Sequence, residues 1–111
     1  MASNGSLQCD VKESGDEQQA SKITTISCRG RLVNDNAAEM KAVVRPFIEM
    51  GGRIVIDLSD LNYVDSAGLG ELLALKVSAM KQGVCKMQFV NVTPRILELL
   101  RITHLEHILL S

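Results

Sequence analysis

The sequence predicts an α/β fold, a mixed β-sheet with helices packed on it, and three observations support this. Apolar residues make up 46% of the 111 residues, enough to build one core in one domain. Two segments with strand patterns come first. Helical and strand patterns then alternate, which gives the order β-β-α-β-α-β-α-(β) that is typical of a mixed sheet.

The first two predicted strands form a hairpin. Residues 7–13 alternate apolar and polar side chains, as a half-buried strand does. Residues 14–22 are polar and contain a glycine, so we expect a connecting loop there. Residues 23–28 are rich in β-branched side chains, which favour a second strand, and Gly30 is expected to end it.

The first helix is predicted over residues 37–50, which carry apolar side chains at helical spacing. The Asn-Asp-Asn run at residues 34–36 offers capping side chains before it, and two glycines follow it. Pro46 lies inside the pattern and predicts a kink or an early end. Residues 53–58 form a short apolar run, which predicts a strand buried on both faces, as in a parallel sheet.

The second helix is predicted to start at Asp65-Ser66 and to end at Gly83. Its expected face consists of Leu69, Leu72, Leu73, Lys76, Val77 and Met80. Lys76, however, also belongs with Lys81 and Lys86 to a set of scattered charges that we expect to be solvated.

The last predicted elements are a strand at residues 86–90 and a third helix after it. Thr93 is expected to cap this helix and Pro94 to occupy its first turn. The helix is predicted to bury Ile96, Leu97, Leu99 and Leu100. The apolar residues 104–110 are consistent with a last short strand or with a docked tail.

Composition excludes several classes of function. A net charge of −1 and 3% aromatic residues leave neither a basic surface nor a stacking platform for nucleic acid. Three cysteines without a CxxC pair argue against a disulfide framework and against a zinc site, and Cys28 and Cys85 are expected to be small buried side chains. Neither a signal peptide nor a bilayer-spanning run is present, which predicts a cytoplasmic protein without direct membrane insertion.

The segment from Asp57 to Gly70 carries the most information about function. Asp65 and Ser66 both have helix-capping chemistry, and two glycines in the next turn, Gly68 and Gly70, suggest that something approaches the backbone closely. A hydroxyl at a helix N-terminus lies where negative charge is favoured. From residue chemistry alone, Ser66 is also consistent with a plain helix cap. Asp57 and Asp60 are also consistent with ordinary strand-exit and turn residues.

This segment resembles the STAS domain, the fold shared by anti-sigma factor antagonists and sulphate-transporter tails. The matching residues are 57–61 (Asp-Leu-Ser-Asp-Leu) and 64–70 (Val-Asp-Ser-Ala-Gly-Leu-Gly), and residues 30–32 (Gly-Arg-Leu) are similar to the family's Gly-x-Leu. The resemblance extends over roughly residues 7–110. It implies a single STAS-like domain at residues 7–111 behind a flexible N-terminus at residues 1–6.

The resemblance implies an anti-sigma factor antagonist with Ser66 as the phosphoacceptor. Its partner would be an anti-sigma factor with serine kinase activity, bound while Ser66 is unphosphorylated, so that transcription is regulated without a cofactor or a metal. We do not expect an enzyme, because the sequence has no catalytic triad order and no phosphate-binding loop. The residues implied in partner binding are Asn34, Asp35, Asp65, Ser66, Ala67, Gly68 and Leu69.

Two positions depart from the antagonists. Val33 stands where they often carry an aspartate, with Asp35 as the nearest substitute, and Ala67 replaces the second serine of their Ser-Ser pair. The alternative is a stand-alone STAS subunit of a membrane transport complex, which needs no phosphorylation. The Val33 departure favours this alternative.

Overall fold

The computed structural model describes residues 7–16, 21–83 and 85–110, so the predictions for residues 1–6, for part of the hairpin loop and for residue 111 lie outside the described residues. A four-stranded sheet has the order β1-β2-β3-β4. The first pair is antiparallel and the other two pairs are parallel, which confirms the predicted mixed sheet. The elements are β1 (Leu7–Asp16), β2 (Ser21–Leu32), α1 (Ala37–Met50), β3 (Gly52–Val64), α2 (Ser66–Gln82), β4 (Cys85–Val90), α3 (Pro94–Thr103) and α4 (Glu106–Leu109).

The core lies on one face of the sheet. Alternate side chains of β2, β3 and β4 are buried there, namely Ile26, Cys28, Ile54, Ile56, Leu58, Met87 and Phe89. Their neighbours Val55 and Asp57 are only half-buried, and Gln88 is exposed. The prediction that residues 53–58 are buried on both faces was therefore wrong, because the helices cover one side of the sheet and leave the other open.

The strands are longer than the sequence predicts. β1 and β2 remain paired from Leu7↔Gly30 to Gly15↔Lys22, where a loop was expected. β2 continues past Gly30, whose φ of 100° suits a glycine, and pairs with β3 as far as Leu32↔Val64. Near this end the Arg31 guanidinium lies over the Tyr63 ring, 4.9 Å from its centroid.

α1 occupies the predicted residues, and Pro46 neither ends nor shortens it. Pro46 removes the helical donor to the Ala42 carbonyl, and both residues are exposed, so water can reach this carbonyl. Met40, Val44 and Ile48 form the buried stripe of this helix.

The buried face of α2 is rotated from the predicted one. It consists of Gly68, Leu69, Leu72, Leu75, Lys76 and Ala79, while Val77 and Met80 are exposed. Lys76 is only 4% exposed, and its Nζ donates a hydrogen bond to the Met87 carbonyl oxygen at 2.7 Å. The expectation of a solvated Lys76 was wrong, and its burial lowers the pKa of the ammonium group.

The C-terminal elements complete the core. Thr93 caps α3 as predicted, because the Ile96 amide donates to its Oγ1 at 3.3 Å. Ile96 and Leu100 are buried, whereas Leu97 and Leu99 are only half-buried. The residues predicted as a strand or a docked tail form the short helix α4, whose Leu109 is fully buried. Across the described segments, every helix is too short or too polar to span a bilayer.

Candidate functional site

The candidate site lies where two loops meet at the carboxyl ends of β2 and β3. Because these strands are parallel and Leu32 is paired with Val64, the loop after β2 and the turn after β3 leave the sheet side by side. Ligands and partners of open α/β sheets commonly bind at this end of the strands. The Asp65-Ser66 turn therefore faces the Asn34-Asp35 loop, although 31 residues separate Asn34 from Asp65 in sequence.

Asp65 joins the two loops. Its Oδ1 accepts a hydrogen bond from the Gly68 amide at 2.8 Å, which caps α2, and its Oδ2 accepts one from the Asn34 amide at 3.1 Å. Its own amide donates to the Leu32 carbonyl oxygen at 3.3 Å. The bond from Gly68, followed by that from Asn34, lowers the pKa of Asp65, so the carboxylate is ionised at neutral pH.

Asn36 holds the other loop from inside. It is buried, its Oδ1 accepts from the Val33 amide at 2.9 Å, and its Nδ2 donates to the Arg31 carbonyl oxygen at 2.9 Å. It occupies the N-cap position of α1, but its side chain closes the loop instead of capping the helix. Sequence reasoning assigned it only a capping role, since an asparagine before a helix gives no sign of which backbone groups it reaches.

Gly68 allows the start of α2 to approach β2. A Cβ at this position would collide with the Leu32 carbonyl oxygen and would lie 2.9 Å from the carbonyl carbon. The sequence expectation of a close approach is thus confirmed at Gly68, and the approaching group is the chain's own backbone. A Cβ added at Gly70 would meet no atom within 4 Å, so no such constraint acts there.

Ser66 is the first residue of α2 and is exposed. Asn34 and Asp35 are exposed beside it, and Ala67 is half-buried. Gly68 and Leu69 are buried, so a partner at this surface would meet Ser66 and the Asn34-Asp35 loop before reaching them. The fold thus brings together the residues implied in partner binding. Some of them are exposed at the surface, and Gly68 and Leu69 are buried.

A groove of about 440 Å³ lies beside Ser66, between the end of β3 and α3. Its walls include Tyr63 and Ser66 on one side and Arg95, Glu98 and Ile102 on the other. Ile102 is 67% exposed although it is a large apolar side chain. Sequence reasoning missed this wall; the spacing of residues 95, 98 and 102, which places them on one helix face, was the available signal.

Asp57 lies inside β3, seven residues before the strand ends, and its side chain reaches the end of the neighbouring strand β4. Its Oδ1 accepts from the Ser59 amide at 2.9 Å and from Asn91 Nδ2 at 3.1 Å. The Ser59 bond is the main cause of its lowered pKa, and the Asn91 bond adds to it. Asp57 therefore has a structural role, but the expectation that it marks the strand exit was wrong, because β3 continues to Val64.

Known proteins share this architecture. An anti-sigma factor antagonist from Mycobacterium paratuberculosis superposes with a TM-score of 0.73 at 18% identity, over 96% of this chain and 86% of its own. The phosphorylated form of SpoIIAA, a Bacillus cell fate determinant, gives a TM-score of 0.66 at 16% identity, over 91% and 87%. The murine Solute Carrier 26 family member A9 anion transporter gives 0.62 at 19% identity, over 91% of this chain but 18% of its own.

At these identities the three structures establish the fold, and the family follows from the sequence itself. The family model described as "Mlab, STAS domain" matches residues 16–111, which include both loops of the site and all of α2. The match agrees with the resemblance carried by the Asp65-Ser66 turn. The chain belongs to the STAS domain family.

Proposed function

We propose that this chain is an anti-sigma factor antagonist switched by phosphorylation of Ser66. The unphosphorylated form binds an anti-sigma factor with serine kinase activity in the cytoplasm, and phosphorylation by this partner ends the complex. The observation that carries the proposal is the exposed Ser66 hydroxyl on a turn that Asp65 and Gly68 hold in place. In this proposal the chain is the substrate of the kinase and performs no catalysis itself.

The electrostatics of the turn suit such a switch. A phosphoserine carries about −1.5 to −2 charges at neutral pH, and a helix N-terminus favours negative charge. The fold can therefore accept the phosphate without rearrangement. The phosphate would, however, make the surface around Ser66 more negative. The Asp65 carboxylate already precedes Ser66, and Asp35 is exposed on the facing loop. The added charge would repel an acidic partner surface and would have to be desolvated on binding.

A kinase assay tests the proposal. The anti-sigma kinases encoded in the same genome are incubated with labelled ATP and with the wild-type chain, Ser66→Ala or Ser78→Ala. Ser78 is the matched control, since it is an exposed serine on the same helix. We expect label in the wild type and in Ser78→Ala only. Equal labelling of Ser66→Ala would contradict the proposal.

A second candidate is a stand-alone STAS subunit of a membrane transport complex. Val33 favours it, because this half-buried valine removes the carboxylate that antagonists often present beside the serine. The match to the murine Solute Carrier 26 family member A9 anion transporter, over 91% of this chain, is also consistent with it. In this case affinity capture from detergent-solubilised membranes of the source organism would recover a transport ATPase, and Ser66→Ala would bind it as well as the wild type does.

A further inference from the structure

Cys9 and Cys28 face each other across the hairpin. They are direct partners in the antiparallel β1–β2 register and lie on the same face of the sheet. Cys28 belongs to the hydrophobic core and Cys9 packs against that core. Residues opposite each other in an antiparallel pair have Cα atoms about 4.5 to 5.5 Å apart, which falls within the roughly 4.4 to 6.8 Å that a disulfide spans.

The two thiols differ in access and in acidity. Cys9 is half-buried on β1, the first strand in the sheet order, whereas Cys28 is 1% exposed. The contact with Cys28 lowers the pKa of the Cys9 thiol, and the same contact, together with burial, raises the pKa of Cys28. Cys9 is therefore the thiol that a small oxidant reaches first, and it is the better nucleophile of the two.

We infer that Cys9 and Cys28 form an oxidation-sensitive dithiol, a modification site that a peroxide converts into a cross-strand disulfide. The Cys9 thiolate attacks one peroxide oxygen, the O–O bond breaks, and a sulfenic acid and water form after protonation. The Cys28 sulfur then attacks the sulfenic sulfur, which forms the S–S bond and releases a second water. Two thiols are oxidised by two electrons, and one hydrogen peroxide is reduced to two waters.

The dithiol is linked to the core and to the site. Cys28 Sγ donates a hydrogen bond to Met40 Sδ on α1 at 3.7 Å. Formation of the disulfide removes the thiol proton and therefore this bond. Cys28 also lies between Ser27 and Arg29, where the β2–β3 register shifts. Four residues later the same strand reaches Leu32, whose carbonyl contacts the start of α2.

The test uses the full chain treated with hydrogen peroxide, denatured and alkylated with iodoacetamide. We expect the intact mass to fall by about 2 Da before alkylation, the two hydrogens lost on disulfide formation. Peptide mapping should find a Cys9–Cys28 bridge and an alkylated Cys85. Dithiothreitol should restore alkylation at all three cysteines.

Cysteine variants identify the two thiols that form the disulfide. Cys85→Ser removes a buried thiol on β4, at the opposite end of the sheet order, and should form the bridge as the wild type does. Cys9→Ser should form none and should keep its two remaining thiols alkylatable. Because Cys9 is only half-buried, we expect Cys9→Ser to fold, so the test does not depend on the folding of a Cys28 variant. A sulfinic acid at Cys9 with a free Cys28, or a bridge between two chains, would overturn the inference.

Discussion

The Asn34 amide donates to Asp65 Oδ2 at 3.1 Å, while Asp65 Oδ1 caps α2. One carboxylate thus fixes the relative position of the two loops that form the candidate site. Removing it should loosen both loops at once, whereas removing a carboxylate that merely points into solvent should not.

We expect Asp65→Ala to lower the free energy of unfolding at pH 7 and Asp35→Ala, on the exposed part of the facing loop, to leave it nearly unchanged. Urea titration followed by circular dichroism measures both. The folded-state pKa of Asp65 is lowered from its ordinary value of 3.8, so its stabilisation is full above that value and is lost as the pH falls through the folded value. The difference between wild type and Asp65→Ala should therefore shrink in strong acid; a difference that grows there would contradict this account.

Gly68→Ala should destabilise the protein by about 2 kcal/mol or more, because the added methyl group meets the Leu32 carbonyl and the backbone has to move. Gly70→Ala, two residues further along the same helix, meets no atom within 4 Å. It should stabilise by about 0.5 to 1 kcal/mol through the helix preference of alanine. Thermal unfolding of the pair measures both signs, and equal effects would refute the close approach.

A negative charge at position 66 should be tolerated by the fold. Ser66→Asp adds it to the first residue of α2, and we expect the free energy of unfolding to change by less than about 0.5 kcal/mol. Gln82→Glu adds the same charge to the last residue of that helix, where the dipole opposes it, and should destabilise by about 0.5 kcal/mol. Urea midpoints at low salt compare them; a strongly destabilised Ser66→Asp would argue against a phosphate switch on an intact fold.

Lys76→Met should change how stability depends on pH. Burial lowers the folded-state pKa of Lys76 below 10.5, so the unfolded chain binds this proton more tightly. The wild type should therefore gain stability relative to Lys76→Met as the pH rises through the lowered value towards 10.5. Lys81→Met, at an exposed lysine of the same helix, is the control for the loss of one positive charge. Parallel profiles for both variants would show that Lys76 pays no desolvation cost.

Local patterns predicted the helices better than the strands. The ends of α1 and α2 agree with the sequence, since caps and glycines mark a helix end within a few residues. β3 runs six residues past the apolar run that predicted it, to Val64. Its polar residues there are held by pairing with β2 across a register shift, which is a non-local effect that no single-strand pattern contains.

The local part of the candidate site was predictable from the sequence, and the part that depends on distant residues was not. The Asp65-Ser66-Ala67-Gly68 turn is local, and both its capping aspartate and its close-packed glycine follow from residue chemistry. The bond from Asn34 to Asp65 spans 31 residues and depends on β2 and β3 being parallel neighbours. The buried Lys76 likewise depends on the position of the Met87 carbonyl, which the helical period of α2 does not encode.

The two hydrogen bonds that Asp65 accepts affect how a partner distinguishes phosphorylated from unphosphorylated Ser66. A turn fixed from both sides changes its potential on modification and not its shape, so the discrimination between the two forms should depend on ionic strength. Screening acts over about 8 Å at physiological salt and about 3 Å at 1 M. Concentrated salt should therefore make the phosphorylated and unphosphorylated forms more nearly equal to a partner that approaches this surface.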